Sequence, residues 1–227
     1  MRLLQTGTDK NLTGFKQLWR SCAVFMVMWV MYAAWERYGM PLFSDSLSRF
    51  ILDVFVVKAL IWTVPVAIIF LITKSKSYVA PDCLFKEPFP VFPFLVICCG
   101  VTAVLYTLRL LIGLQNAAIL FDPYSVWLSI AAGVIEELSF RGYFFNRQYT
   151  AIGLWPAATV NGVLFVLYHY PGLLFGGSWV PLLSLRSLFV FSAGIGFCLI
   201  FHRWRSLALN MAVHFYWDFL SFLFYLV

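Results

Sequence analysis

Apolar runs recur along the chain at roughly 18–35, 51–73, 91–114, 126–146, 155–170, 186–201 and 207–227, separated by short polar intervals. A helix rises 1.5 Å per residue, so about twenty apolar residues cross the hydrocarbon core of a bilayer. The pattern predicts an all-α fold, a polytopic membrane bundle of about seven transmembrane helices. Pro81, Pro88, Pro90 and Pro93 punctuate the connection into the third run. No internal repeat, low-complexity tract or soluble domain interrupts the pattern, so residues 1–227 read as a single membrane domain.

Composition agrees: 62% of residues are hydrophobic and 11% are charged. The net charge of +6 is no sign of nucleic acid, because the basic residues sit mainly between the apolar runs and form no stripe with interleaved aromatics. Nine Trp and eleven Tyr suit interfacial belts. The five cysteines (Cys22, Cys83, Cys98, Cys99, Cys198) are odd in number and form no CxxC pair, which argues against a disulfide framework or a zinc site.

Charge also orients the chain. Arg2, Lys10, Lys16, Arg20, Lys74, Lys76, Lys86, Arg147, Arg203 and Arg205 fall on one side of the predicted spans, against Arg37, Arg49 and Arg186 on the other. The positive-inside rule then places the N-terminus in the cytoplasm of a multi-pass cell-membrane protein, and the C-terminus outside. Residues 1–17 are polar and lack the apolar core of a signal peptide, so the chain is expected to keep them. A cytoplasmic location would also make the formal sequon Asn11-Leu12-Thr13 meaningless.

Some polar residues remain within the spans. Asp53 and Lys58 share the second, and Arg109 sits in the third; these read as structural pairs or snorkelling side chains. Glu136-Glu137-Leu138-Ser139-Phe140-Arg141 is different. A charge at the centre of a membrane helix costs on the order of 3 kcal/mol, so three within six residues need partners or a wet cavity. Glu137 and Arg141, at i and i+4, share a helix face and are expected to pair. Glu136 points elsewhere and is left free to act as a general base.

Two later runs carry matching polarity. Asn161, Phe165 and His169 follow at successive i+4 positions along one face. His169 alone would be weak evidence, since a lone histidine closing an apolar run is more often interfacial. Asn210, His214, Asp218 and Ser221 then form a polar stripe down the last run, which must face protein or trapped water. Its bland reading is interhelical hydrogen bonding. The whole constellation of two Glu, an Arg, two His and an Asp reads as functional.

Several chemistries fit poorly. Ser139 has no nucleophile elbow, no reactive cysteine neighbours either histidine, and HExxH is absent. Two Glu and two His could hold a divalent metal once the helices pack. What remains is water activated by a carboxylate and a histidine, with polar groups at an oxyanion: acyl transfer to water.

The motifs Glu136-Glu137-x-x-x-Arg141, Phe165-x-x-x-His169 and His214-x-x-x-Asp218, in order on three apolar runs, resemble the CAAX protease and bacteriocin-processing (Abi) family of intramembrane endopeptidases. Ser192-Ala193-Gly194-Ile195-Gly196 and Trp204-Arg205-Ser206-Leu207 look like the family's approach to its last motif. The resemblance spans a core of about 122–222. It implies that Glu136 and His169 activate the attacking water and that His214 and Asp218 form the oxyanion site, with Glu137 and Arg141 completing the catalytic set. This chain has Asp218 where the prenyl-protein endopeptidases have Asn. An ionised Asp cannot donate to an oxyanion, so Asp218 is expected to orient His214 through its ring N–H, or to be protonated.

Although the family was long described as metal-dependent, two carboxylates beside an arginine are already partly neutralised. The reading is therefore of no cofactor, with a divalent metal such as zinc as the alternative. The implied partners are a membrane-associated peptide or protein substrate and the lipid bilayer. Two readings of another class stay open: a non-catalytic bacteriocin self-immunity or partner-binding protein, and an ion or proton carrier using the same charges as a relay.

Overall fold

The structure, a computed structural model, describes residues 2–73, 77–114, 122–176 and 180–224. Side chains of residues 2–13, and with them the Asn11 sequon, lie outside the described residues, as do the 115–121 connection and the end of the last predicted span. Seven helical rods make up the described chain, without a strand. Helix α1 (Arg2–Ala34) continues through a π-helical turn, Trp35–Gly39, and a 3-10 turn, Met40–Leu42. Helix α2 starts at Ser46–Phe50, passes through π-helical Ile51–Val57 and Ala59–Thr63, and ends as Val64–Thr73. Then come α3 (Val91–Leu111) and α4, built from Pro123–Glu137, π-helical Leu138–Phe145 and Asn146–Ile152. Helices α5 (Leu154–Tyr168), α6 (Leu185–Trp204) and α7 (Leu207–Leu223) complete the bundle.

Four stretches are long and apolar enough to cross a membrane unaided: Gly14–Leu42, Ser46–Phe70, Val91–Leu111 and Leu185–Trp204. Of the other three rods, α4 carries four charges, and α5 and α7 are short. Large apolar side chains such as Phe92, Leu95 and Leu111 on α3 are exposed, as a lipid-facing surface requires.

The structure revises two expected boundaries. The polar tract before the first span is helical from Arg2 onward, and the acidic run extends from 126–146 to Pro123–Ile152. Local chemistry explains the second. Asp122 caps α4 by accepting from Tyr124 N (3.1 Å) and Ser125 N (3.2 Å), with Pro123 preset for the first turn. At the far end Gln17 Nε2 donates to Arg147 O (3.0 Å) and Thr150 Oγ1 (2.9 Å), so α1 supports the extra turns. Gly153, at φ +80°, then turns the chain directly into α5, a conformation that disfavours any side chain.

The intervals expected on the basic side do meet at one end of the bundle. Asn146 clamps the α2–α3 connection, accepting from Val79 N (2.7 Å) and donating to Val79 O (2.8 Å). Tyr78 donates to His202 O (3.1 Å) and accepts from Arg205 Nε (3.0 Å). Toward the middle, Phe25, Trp62, Phe140, Phe144, Phe165 and Tyr168 pack into one aromatic core across α1, α2, α4 and α5. The polar site is built against that core.

Candidate active site

Glu136 and Glu137 close the first α-helical segment of α4, just before its π-helical segment, and both are buried. Glu137 is fully committed. Its Oε1 accepts from Arg141 Nη1 (2.7 Å) and lies 2.8 Å from His214 Nδ1, while Oε2 accepts from Asn210 Nδ2 (3.1 Å). Arg141 also donates from Nη2 to Gly194 O on α6 (3.0 Å), and its guanidinium lies between the rings of Phe165 (4.7 Å) and Phe197 (4.9 Å). The pairing anticipated from the i, i+4 spacing is thus present, fully buried where three helices converge.

Glu136 stands apart from that network. Its Oε2 is buried, makes no hydrogen bond among the described residues, and lies 3.8 Å from His214 Nε2. His214 itself is fixed by Glu137: a carboxylate that also receives Arg141 can only accept, so Nδ1 carries the proton. That leaves Nε2 facing the site, with Asp218 Oδ2 at 3.5 Å. Phe197 stacks on the imidazole at 4.6 Å and fixes its plane.

Two carboxylates thus flank the ring of His214, Glu137 as well as the expected Asp218. Asp218 follows His214 by one helical turn and meets the ring on its Nε2 edge, whereas α4 delivers Glu137 to the Nδ1 edge. Asp218 is also the more open residue, its side chain 24% exposed against 4% for His214.

Helices α4 and α7 can bring these groups together because of Gly133. A Cβ there would lie 2.9 Å from Met211 O and 3.2 Å from Phe215 N, so any side chain would push the two helices apart. Ser206 starts α7 by accepting from Leu209 N (3.2 Å), which sets the phase that aims Asn210 and His214 inward. Ser221, the last of the stripe, is buried without a hydrogen-bond partner among the described residues.

His169 closes α5. Its Nδ1 lies 2.8 Å from Phe165 O, and since a carbonyl only accepts, Nδ1 donates and the Nε2 lone pair is free. It lies within Coulomb reach of Asp218 and His214, without a direct bond to Glu136. Asn161 donates to Phe140 O (3.1 Å) and accepts from Cys198, a structural joint between α4, α5 and α6. Ser139 Oγ lies 2.8 Å from Trp62 O and 2.9 Å from Ile135 O, so its one hydroxyl hydrogen is given to backbone.

Outside the three motifs, Asp53 accepts from Tyr32 Oη (3.2 Å) and Trp35 Nε1 (3.0 Å) and faces Lys58 Nζ at 3.9 Å. Arg109 donates to Phe224 O (3.3 Å). These are packing roles of the expected kind. Two residues beside the site escaped the sequence reading: Asn210 as a support for Glu137, though its place in the stripe was visible, and the buried Tyr168. Tyr168 lies on the same buried face as Asn161 and Phe165, but an aromatic in an apolar run gives no polar signal.

A metal fits this donor set poorly. Among the described residues no three His, Cys, Asp or Glu side chains are grouped as ligands for one ion, and Glu137 is spent on Arg141, His214 and Asn210.

Residues 118–220 match the family model described as Type II CAAX prenyl endopeptidase Rce1-like. The matched stretch is similar to the Rce1-like domain. It takes in α4, α5, α6 and most of α7, and with them all three motifs, so the resemblance read from those motifs holds. The match supports a CAAX-type intramembrane protease in general and a multi-pass membrane protein with a peptide substrate. No curated protein and no solved structure gives a match to the chain.

Proposed function

We propose that the protein is an intramembrane endopeptidase that hydrolyses a peptide bond of a membrane-associated peptide with water activated by Glu136. The observation that carries this reading is the division of labour between adjacent glutamates: Glu137 is saturated by Arg141, His214 and Asn210, and Glu136 keeps a buried carboxylate oxygen unpaired beside His214 Nε2. A general base must be held near the reacting water and not be consumed by structural bonds.

In the proposed reaction Glu136 takes a proton from water as the water oxygen bonds to the carbonyl carbon. His169 offers its free Nε2 to hold that water from α5, since its Nδ1 hydrogen is given to Phe165 O. The carbonyl oxygen becomes an oxyanion facing His214, which donates from Nε2 when the imidazole is charged and is held for that task by Glu137. Asp218 faces the same nitrogen and balances that charge. The C–N bond breaks as Glu136 returns the proton to the departing amine, and the products are a carboxylic acid and an amine. No step uses a metal or other cofactor. The chain would lie in the cell membrane with the basic end of the bundle, and so its N-terminus, on the cytoplasmic side.

The test is cleavage of two internally quenched peptides by purified detergent-solubilised protein, one ending in an S-prenylated CAAX sequence and one spanning the bilayer with an unmodified apolar segment. Cleavage of either, undiminished by a divalent-metal chelator, supports the reading. Loss of cleavage on chelation, restored by added zinc, overturns the metal-free mechanism. Cleavage of neither overturns the functional assignment.

A further inference from the structure

Resting on the endopeptidase reading above, we propose that Tyr168 is a further catalytic residue, whose hydroxyl donates a hydrogen bond to the substrate carbonyl oxygen as it becomes negatively charged. Tyr168 is the last residue of α5, next to His169, and follows Asn161 by seven residues and Phe165 by three, which places it on the buried face of that helix.

Its ring is fixed from several directions: Trp62 meets it edge-on at 4.7 Å, Phe140 at 5.5 Å, and Tyr32 stacks on it at 6.3 Å with planes 12° apart. The hydroxyl therefore has little freedom to swing away, and it lies within interaction range of Glu136. Yet Tyr168 Oη, buried with its residue 4% exposed, makes no hydrogen bond among the described residues, and neither does the buried Glu136 Oε2. Both are buried polar atoms without a well-formed hydrogen bond, and they interact electrostatically with one another. If packing were the only requirement, a phenylalanine would fill the same aromatic niche without the penalty of a buried hydroxyl that bonds to nothing.

The missing partner is supplied by the chemistry. An oxyanion needs donors that are in place before the charge develops. Asp218 as a carboxylate only accepts, and the nearby Asn210 Nδ2 is spent on Glu137 and Phe197 O. Tyr168 is a neutral donor brought by α5, complementing His214 on α7. It keeps its own proton throughout; only the hydrogen bond strengthens as the carbonyl oxygen gains charge and relaxes when the C–N bond breaks.

The experiment compares the parent protein, Tyr168→Phe and Glu136→Gln on whichever quenched peptide the parent cleaves, with thermal unfolding measured in the same detergent. Removing only the hydroxyl should lower kcat by roughly ten- to a thousandfold with KM little changed, the pattern of an interaction made in the transition state. The unfolding temperature should stay level or rise, because no protein hydrogen bond is lost. A Tyr168→Phe protein with parental kcat overturns the inference while an inactive Glu136→Gln leaves the functional reading standing. A fall in kcat accompanied by a lower unfolding temperature assigns the hydroxyl to structure and also overturns it. A fully active Glu136→Gln, or a parent that cleaves neither peptide, overturns the functional reading and this inference with it.

Discussion

His214 is held by Glu137: its Nδ1 lies 2.8 Å from Glu137 Oε1, and the same oxygen receives Arg141 at 2.7 Å. The second glutamate of the pair is thus the organiser of the site, joining α4 to α7 directly and to α6 through Arg141 and Gly194 O. Its neighbour Glu136 is left with a free oxygen at the point where the helices meet.

Replacing Glu137 by Gln should therefore damage the fold as well as the reaction. The change leaves Arg141 charged, fully buried and without its carboxylate, a loss of roughly 3 to 5 kcal/mol. Thermal unfolding in detergent should show a large drop in midpoint and the yield of folded protein should fall. An unchanged midpoint would show that the buried pair does not carry this load.

Asp218→Asn should behave in the opposite way. Asp218 is partly exposed and faces the site at the Nε2 side of His214, 3.5 Å away. Folding should be unaffected, while turnover falls by roughly ten- to a thousandfold because the imidazolium loses a balancing charge. Equal turnover in Asp218→Asn and the parent would remove Asp218 from the mechanism, and a folding defect as severe as that of Glu137→Gln would reverse the roles given to the two carboxylates.

Gly133→Leu tests whether the site depends on the close approach of α4 and α7. The new side chain would start 2.9 Å from Met211 O, so the helices must separate, at a cost of roughly 1 to 3 kcal/mol. Both stability and turnover should drop. Retained turnover with retained stability would mean that the helices can part without disturbing His214.

Asn146→Ala probes support remote from the chemistry. It removes the bonds to Val79 N, Val79 O and Gly142 O, and leaving those buried backbone groups unpaired should cost about 1 to 3 kcal/mol. Turnover per folded molecule should be preserved. A matching loss of turnover would tie the α2–α3 connection to the site.

How much of this was legible in the sequence depends on which interactions are local. The Glu137–Arg141 pair was readable because i, i+4 spacing puts both ends on one face of a single helix. The Asn210, His214, Asp218 stripe was readable for the same reason. Which carboxylate would reach which edge of the imidazole was not, because it depends on the rotation of α4 against α7, set by the contact at Gly133 and the cap at Ser206. The length of α4 was hidden as well. Its last turns, with Arg147 and Gln148, are polar by composition and buried because α1 and Phe70 of α2 pack against them. Tyr168 reads in sequence as one more aromatic in an apolar run; only the fold shows that its hydroxyl is buried and without a hydrogen bond among the described residues.

The most direct test of the account is the turnover of Glu136→Gln measured beside its unfolding midpoint. Glutamine keeps the shape and removes the base, and Glu136 Oε2 makes no hydrogen bond that the fold would lose. The account predicts a protein that folds as well as the parent and cleaves no peptide. A folded Glu136→Gln protein that cleaves at the parental rate would contradict it.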